Sequence, residues 1–218
     1  MASNPCRSSP SSSCLPFVKH NNNNNFYYYC KFHWFFVVLT TVNINLLALD
    51  FDQTIMGIHT GGNWKETAET LIPHVRPMFR TIVPSALDRG LYVAVVTFST
   101  QVDMVRSVLE AIVGQERAQS IPIRGGGSGV VGGNGSMAMK DAWIYHGQGS
   151  HGGKQAHMAS AVEELEQRHD GLEIHKTTTV LIDDDGKNIR TALKQGVRAV
   201  WLNPRRPGQI LKDLVELI

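Results

Sequence analysis

The sequence lacks cysteine over most of its length and lacks acidic residues at its N-terminus. All three cysteines, Cys6, Cys14 and Cys30, lie early in the chain, so the remainder has no thiol for a disulfide, a zinc site or nucleophilic catalysis. No Asp or Glu occurs before Asp50. The apolar stretch 35–42 is much shorter than the about 20 residues that a membrane-spanning helix needs. These absences favour a reducing, cytoplasmic location and predict no membrane partner.

The charges after the N-terminal region are nearly balanced. Three of the 21 Lys and Arg residues precede Asp50, which leaves 18 basic residues against 19 acidic ones. A nucleic-acid-binding protein usually concentrates basic residues on one face, and the overall balance gives no such signal. We therefore expect no nucleic-acid partner, although a local basic groove is compatible with this balance. The oligomeric state is left open by the sequence.

Residues 1–41 differ in composition from the rest. They contain a Ser-rich stretch at 8–13, an Asn run at 21–25 and an aromatic cluster at 26–36. This composition predicts a disordered extension before a single domain at 42–218. An acid-free, Ser-containing N-terminus is also typical of organelle-targeting segments. A misassigned start site is a third explanation.

Apolar runs alternate with helical patterns through residues 42–218. Strand patterns occupy 46–49, 91–97, 178–182 and 197–202, and a weaker one lies at 121–124. Because Pro122 cannot donate to a sheet, this weaker strand is expected near a sheet edge. A helix is expected over 73–88, kinked or split at Pro84. The alternation predicts an α/β fold, a doubly wound, Rossmann-like parallel sheet in three αβα layers.

Polar residues follow the predicted strands. Asp50 and Asp52 follow the first strand, Thr97 and Ser99 the second, and Asp183 and Asp184 a later one, while Lys154 begins a helix. Parallel strands bring these ends to one edge of the sheet. Two unit charges about 4 Å apart repel by roughly 4 kcal/mol at an effective dielectric near 20, so the carboxylates require a cation. Oxygen ligands without Cys or paired His favour a hard ion such as Mg²⁺.

These motifs, in this order, resemble those of the haloacid dehalogenase-like (HAD) superfamily. The four motifs are Asp50-Phe51-Asp52-Gln53-Thr54, Thr97, Lys154 and the stretch 183–188, and the match covers the chain from about residue 43. The resemblance implies that Asp50 is a nucleophile, that Asp52 is the general acid and base, and that Thr97, or Ser99 in its place, and Lys154 bind the phosphoryl group. It also implies Mg²⁺ ligands from Asp50, the Asp52 carbonyl and Asp184, with Asp183 beside Asp184 as a second ligand or an orienting residue.

The resemblance further implies a Mg²⁺-dependent phosphatase that hydrolyses a phosphomonoester through an aspartyl-phosphate. Asp52 favours phosphate chemistry because the dehalogenases of the superfamily lack this second acid. The intervals between motifs leave no room for a large cap domain, and this layout is similar to the magnesium-dependent phosphatase-1 type. The substrate is expected to be a small molecule or protein-borne. The alternative is a catalytically weak module that binds a phosphate or nucleotide, and a purely structural protein is a third hypothesis.

Three other features invite interpretation. The loop 58–64, with Trp64, is either a substrate lip or an ordinary surface loop. The glycine-rich segment 125–153 contains G-x-G-x-x-G at 127–132, but the helix and acidic residue of a dinucleotide site do not follow, so we expect a flexible loop. His157 is expected on a helix surface. Gln53 stands where the first superfamily motif often has glycine.

Overall fold

A computed structural model describes residues 33–126 and 153–214. The predictions for residues 1–32, for the G-x-G-x-x-G segment and for most of the glycine-rich stretch lie outside the described residues. Within the described residues, no helix is both long enough and apolar enough to cross a bilayer.

The described residues form alternating strands and helices. The helices are α1 (33–41), α2 (Ala68–Leu71), α3 (Phe79–Asp88), α4 (Val102–Val113), α5 (Gln115–Gln119), α6 (Gln155–Arg168), α7 (Gly186–Lys194) and α8 (Ile210–Asp213). The strands are β1 (Leu46–Leu49), β2 (Tyr92–Val96), β3 (Ile123–Arg124), β4 (Thr179–Asp183) and β5 (Arg198–Trp201). Short 3₁₀ turns cover Ile72–His74, Lys176–Thr178 and Pro207–Gln209.

The five strands form one parallel sheet in the order β3-β2-β1-β4-β5. The predicted doubly wound α/β fold is confirmed, and the weak strand around Pro122 lies at an edge as expected. The chain order reverses between β1 and β4, and ligands of such sheets bind at the carboxyl ends of the strands beside this point. The pairing of Leu49 with Ile182 places Asp50 beside Asp183 at the next position.

Each face of the sheet is covered by helices. On β1, Leu47 and Leu49 belong to a core with side chains of α1, α3 and α4, whereas Leu46 and Ala48 belong to a second core with α6 and α7. Alternate strand residues point to opposite faces, so a central strand that is apolar throughout can be buried on both. This three-layer packing fixes the strand ends that carry the polar residues.

The predicted boundary at residue 42 is wrong for its last part, because residues 33–41 are helical and pack into the domain. Phe35, Phe36, Val38 and Leu39 on α1 are all buried, at 4% exposure or less. Arg89, after α3, also places its guanidinium 4.4 Å from the centre of the Phe36 ring. The aromatic composition that suggested an extension supplies part of the core.

The helix around Pro84 also differs from the prediction. It begins at Phe79 rather than near residue 73, and it runs through Pro84 as one helix. Arg117 donates to the Pro84 carbonyl over 2.9 Å, which gives that carbonyl a partner from α5. The helix continues through Pro84 without a break, although the proline has no N–H to donate to the Arg80 carbonyl.

Candidate active site

A wide turn after β1 presents the first acidic motif at the edge of the sheet. The Asp50 amide donates to the Ile182 carbonyl over 3.0 Å and so continues the ladder to β4. The chain then turns back, and the Met56 amide donates to the Phe51 carbonyl over 2.9 Å. Gln53 has a φ of +56°, in the left-handed region that favours glycine. The turn brings Asp50 and Asp52 to one cleft, and Gln53, rather than a glycine, occupies its strained position.

Asp50 and Lys154 form a buried ion pair at the centre of this cleft. The Lys154 Nζ donates to Asp50 Oδ1 over 2.8 Å, and the two side chains are 1% and 7% exposed. Lys154 immediately precedes α6, which packs on the sheet face formed by Leu46 and Ala48. From there its ammonium group reaches the end of β1. Burial raises the pKa of Asp50, and the attraction of the Lys154 ammonium opposes this rise. The predicted lysine thus faces negative charge at a helix start.

Three carboxylates converge beside this pair. One oxygen each of Asp50, Asp183 and Asp184 lies within 4.8 Å of the others. Burial, followed by repulsion from Asp50, raises the pKa of Asp183 to about 7 and that of Asp184 to about 6. Such a cluster of oxygen donors, without Cys or His, matches the preference of Mg²⁺.

Asp183 and Asp184 are held by different partners. Asp183 is fully buried, and its carboxylate accepts from Asn188 Nδ2 at 3.0 and 3.1 Å and from the Asp185 amide at 2.8 Å. Asp184 is half-buried, and its backbone carbonyl accepts from Trp201 Nε1 at 2.6 Å. Asp183 is therefore anchored from within the protein, whereas Asp184 lies closer to solvent.

Asp52 also lines the cleft, but its side chain is directed to the loop 58–64. Its Oδ1 accepts from the Thr60 amide at 2.5 Å and lies 3.7 Å from His59 Nδ1. The Asp52 side chain is not part of the convergent group of three carboxylates. The predicted role of its backbone carbonyl as a metal ligand stays a prediction.

The two predicted hydroxyl residues occupy different positions. Thr97 follows β2, is buried and lines the cleft, and its Oγ1 accepts from the Ser99 amide at 3.1 Å. Ser99 is buried but is not among the residues that line the cleft, and its Oγ accepts from the Gln101 amide at 3.2 Å. Of the two, Thr97 is the residue that the fold places at the cleft.

The loop 58–64 is fastened to the start of α4. The Trp64 amide donates to Gln101 Oε1 at 2.5 Å, and Gln101 Nε2 donates back to the Trp64 carbonyl at 2.8 Å. Trp64 Nε1 donates to Thr70 Oγ1 at 3.1 Å, and the ring packs against the core. Trp64 therefore anchors the loop, and the part of the loop that lines the cleft is His59.

The cleft contains two exposed aromatic residues that the sequence patterns did not reveal. Its volume is about 780 Å³. Phe98 and Trp201 line it and are 45% and 44% exposed; Phe98 follows β2, and Trp201 is the last residue of β5. The Lys154 Nζ lies 3.8 Å from the centre of the Phe98 ring. Arg190, in the first turns of α7, lines the same cleft.

The prediction that His157 lies on a helix surface is wrong. His157 is 2% exposed, its ring makes an edge-on contact with Phe98, and its Nε2 lies 2.8 Å from the Gly126 carbonyl oxygen. Burial lowers the pKa of His157 to about 4. A neutral imidazole thus supports the ring on which Lys154 rests.

No family model matches the chain, and no curated protein matches it. Solved structures do resemble it, and two of them each share 15% sequence identity with it. The first is the N-terminal part of the protein BF1531 from Bacteroides fragilis, which contains a phosphatase domain and is complexed with Mg; the TM-score is 0.46 over 85% of this chain. The chain spans 43% of that structure's length.

The second is the HAD domain of the effector protein Lem4 from Legionella pneumophila, an inactive mutant. Its TM-score is 0.38, over 79% of this chain and 93% of that one.

Proposed function

We propose that the protein is a Mg²⁺-dependent phosphatase that hydrolyses a phosphomonoester. The observation that carries this proposal is the pairing of Asp50 with Lys154, with the Asp183 and Asp184 carboxylates within 4.8 Å of Asp50 at an open cleft. Lys154 supplies one positive charge against three carboxylates. A further cation would therefore relieve the repulsion among the carboxylates.

The three carboxylates match magnesium in their chemistry. They offer hard oxygen donors, and Mg²⁺ is commonly held by one or two carboxylates together with a substrate phosphate. Asp50, Asp183 and Asp184 would hold the ion, with the Asp52 carbonyl as a further candidate. When bound, the ion would reduce the repulsion among the carboxylates and neutralise charge on the phosphoryl group.

In the first step, an Asp50 carboxylate oxygen attacks phosphorus. The new bond joins this oxygen to phosphorus, and the bond between phosphorus and the leaving oxygen breaks. Asp52, in its protonated form, gives its proton to the leaving oxygen, so the product leaves as an alcohol or phenol. The Thr60 amide holds the Asp52 carboxyl group at the loop side of the cleft.

In the second step, water attacks the phosphorus of the aspartyl-phosphate. The Asp52 carboxylate takes a proton from this water, and the bond between phosphorus and Asp50 breaks. Inorganic phosphate and the Asp50 carboxylate are released, and Asp52 is protonated for the next cycle. Each carboxylate thus returns to its starting state.

Two further residues would stabilise the transferring group. The Lys154 ammonium already lies within hydrogen-bond distance of Asp50 and would also contact the phosphoryl oxygens. The Thr97 hydroxyl would donate to the same group from the end of β2. Both groups are fixed by packing before substrate arrives, and preorganised donors lower the barrier without further ordering.

The open cleft favours no particular size of leaving group. A small phosphorylated molecule and a protein-borne phosphate are both accommodated by this proposal. The cytoplasmic location is likewise part of the proposal and rests on the cysteine distribution.

A direct test is hydrolysis of a small aryl phosphate by the purified protein. Wild type is expected to release phosphate with Mg²⁺ and to stop with a chelator. Asp50→Asn is expected to lower the rate by at least about a thousandfold, because the nucleophile is removed. Asp170→Asn makes the same chemical change at an exposed residue outside the cleft, and it is expected to retain the wild-type rate. Full activity of Asp50→Asn would overturn the proposal.

A further inference from the structure

One side of the cleft is bordered by a surface of a single charge sign. Residues 186–212 contain seven basic residues and no acidic one, although basic and acidic residues are nearly equal in the whole chain. Asp185 and Asp213 bound this stretch. It includes α7, β5 and the turn that follows β5. The near-neutral total therefore conceals a local basic surface.

Four cations of this stretch lie at the carboxyl edge of the sheet, and we call them the basic rim: Lys187, Arg190, Arg205 and Arg206. All four are exposed. Among the residues that the structure describes, none of their side chains forms a salt bridge or a hydrogen bond. Their charges are therefore available to a ligand.

One contact relates the basic rim to the cleft, and another holds it beside the turn at Phe51–Ile55. Arg190 itself lines the cleft. Its Nη1 lies 3.3 Å from the position that a Cβ atom would occupy on Gly186, so the guanidinium folds back over the start of α7. Arg76 donates to the carbonyl of Gln53 at 3.1 Å and to that of Pro204 at 3.3 Å. The turn that carries Arg205 and Arg206 is thereby held beside the turn that carries Asp52.

An aromatic platform lies beside the carboxylates and lines the same cleft as Arg190. Trp201 lines the cleft and is 44% exposed, and its Nε1 is bonded to the Asp184 carbonyl. The indole is therefore fixed in orientation while a large part of its surface stays open. A fixed, exposed ring beside unpaired cations is the combination that binds single-stranded nucleic acid, in which cations contact the backbone and rings stack on bases.

We propose that the phosphomonoester is the terminal phosphate of a single-stranded nucleic acid, whose backbone contacts the basic rim and whose last base stacks on Trp201. This inference rests on the proposed phosphatase function, which it extends to a substrate class. An acidic phosphopeptide would use the same cations but would have no planar base for the indole. The exposed ring thus favours the nucleic acid.

The test measures binding rather than turnover. Fluorescently labelled octathymidylates with a 3′-phosphate, a 5′-phosphate or no phosphate are titrated with the Asp50→Asn protein in Mg²⁺, beside an acidic phosphopeptide of equal charge. One of the phosphorylated oligonucleotides is expected to bind at least about tenfold more tightly than the unphosphorylated one and the peptide. Equal or tighter binding of the peptide, or no oligonucleotide binding, would overturn the inference.

Variants of the rim and the platform locate the contacts. Trp201→Leu is expected to weaken oligonucleotide binding about tenfold, whereas Trp201→Phe, which keeps a ring but loses the indole N–H, should retain most of it. Four phosphate contacts predict a slope of about −3 when log affinity is plotted against log salt concentration. The double variant Arg190→Gln, Arg205→Gln should reduce the magnitude of this slope by about 1.4. Lys194→Gln, at the far end of α7, is the matched control and should change neither quantity.

The outcome separates this inference from the proposed function. If wild type hydrolyses the aryl phosphate with Mg²⁺ but the oligonucleotides do not bind, the substrate class is wrong and the phosphatase stands. If the oligonucleotides bind in the expected order but no phosphate is released, the binding surface stands and the phosphatase proposal fails. Melting curves of each variant, with and without Mg²⁺, identify any variant that has lost its fold.

Discussion

Replacing Lys154 with Met tests the electrostatic account of the site. The substitution keeps most of the side-chain volume but removes a cation that lies 2.8 Å from Asp50 in a pair with 1% and 7% exposure. At an effective dielectric near 20, the attraction over this distance is about 6 kcal/mol before desolvation is counted. Breaking a buried pair by removing one partner typically costs 3–5 kcal/mol. We expect the free energy of unfolding to fall by about 3–5 kcal/mol.

Magnesium should return part of this loss. Without Lys154, the carboxylates of Asp50, Asp183 and Asp184 stay within 4.8 Å of one another, and each charged pair repels by about 3 kcal/mol at that dielectric. An ion that binds only the native cluster stabilises it by mass action. The stabilisation by Mg²⁺ should be larger in Lys154→Met than in wild type, as measured by urea unfolding with Mg²⁺ and with a chelator.

A double-mutant cycle isolates the pair. Asp50→Asn combined with Lys154→Met should be less destabilised than the sum of the single variants, because the second change removes the unpaired charge. Lys194→Met, at an exposed position, is the control and should stay within about 0.5 kcal/mol of wild type. A loss below about 1 kcal/mol in Lys154→Met, or strict additivity of the two changes, would refute the reasoning.

Three further predictions concern stability. Gln53→Gly should raise the free energy of unfolding by about 1 kcal/mol because it removes a left-handed strain at φ +56°, whereas Gln53→Ala should give no gain; urea unfolding compares them. Burial lowers the pKa of His157 to about 4 from the ordinary 6.5. The neutral imidazole therefore adds about 3 kcal/mol to the free energy of unfolding above pH 6.5, and this stability is lost as the pH falls toward 4. His157→Gln should flatten this part of the curve of stability against pH, and an unchanged curve would contradict the assignment. Leu39→Ala should cost about 2–5 kcal/mol in a melting experiment, whereas Val37→Ala, on the exposed face of α1, should cost little; equal effects would mean that α1 is not part of the core.

Much of the fold was accessible from the sequence because the central strands are apolar on both faces. The run 46–49 ends abruptly at Asp50, and the run 178–182 ends at the next acidic cluster. Parallel pairing brings such ends together whatever the details of the helices, and the register of Leu49 with Ile182 does so here. Asp50, Thr97, Lys154 and Asp183, which are far apart along the chain, therefore line one cleft.

What the sequence did not reveal depends on contacts between distant residues. Leu39 and its neighbours were assigned to an extension because composition does not show where a polar tail ends and a helix that packs into the domain core begins. His157 is buried only because it packs against Phe98, and no local pattern indicates that contact. Trp201 ends a strand and would ordinarily be expected in the core, and its exposure follows from the way that the cleft opens beside Asp184.

The basic rim had a signal in the sequence that the total charge hid. The acid-free stretch 186–212 can be read directly from the chain. Its meaning depends on knowing that α7 and the turn after β5 both border the cleft, which only the strand order provides. Charge counted along the sequence therefore needs the topology before it predicts a partner.

The most direct test of the central claim is to look for the phosphoryl group on Asp50. The protein is quenched with acid during Mg²⁺-dependent turnover of an aryl phosphate, and its peptides are analysed by mass spectrometry. We expect the peptide that contains Asp50 to carry a phosphoryl group in wild type and in Asp170→Asn, and to carry none in Asp50→Asn. Turnover at the wild-type rate in Asp50→Asn, or a phosphoryl group on a different residue, would contradict the account.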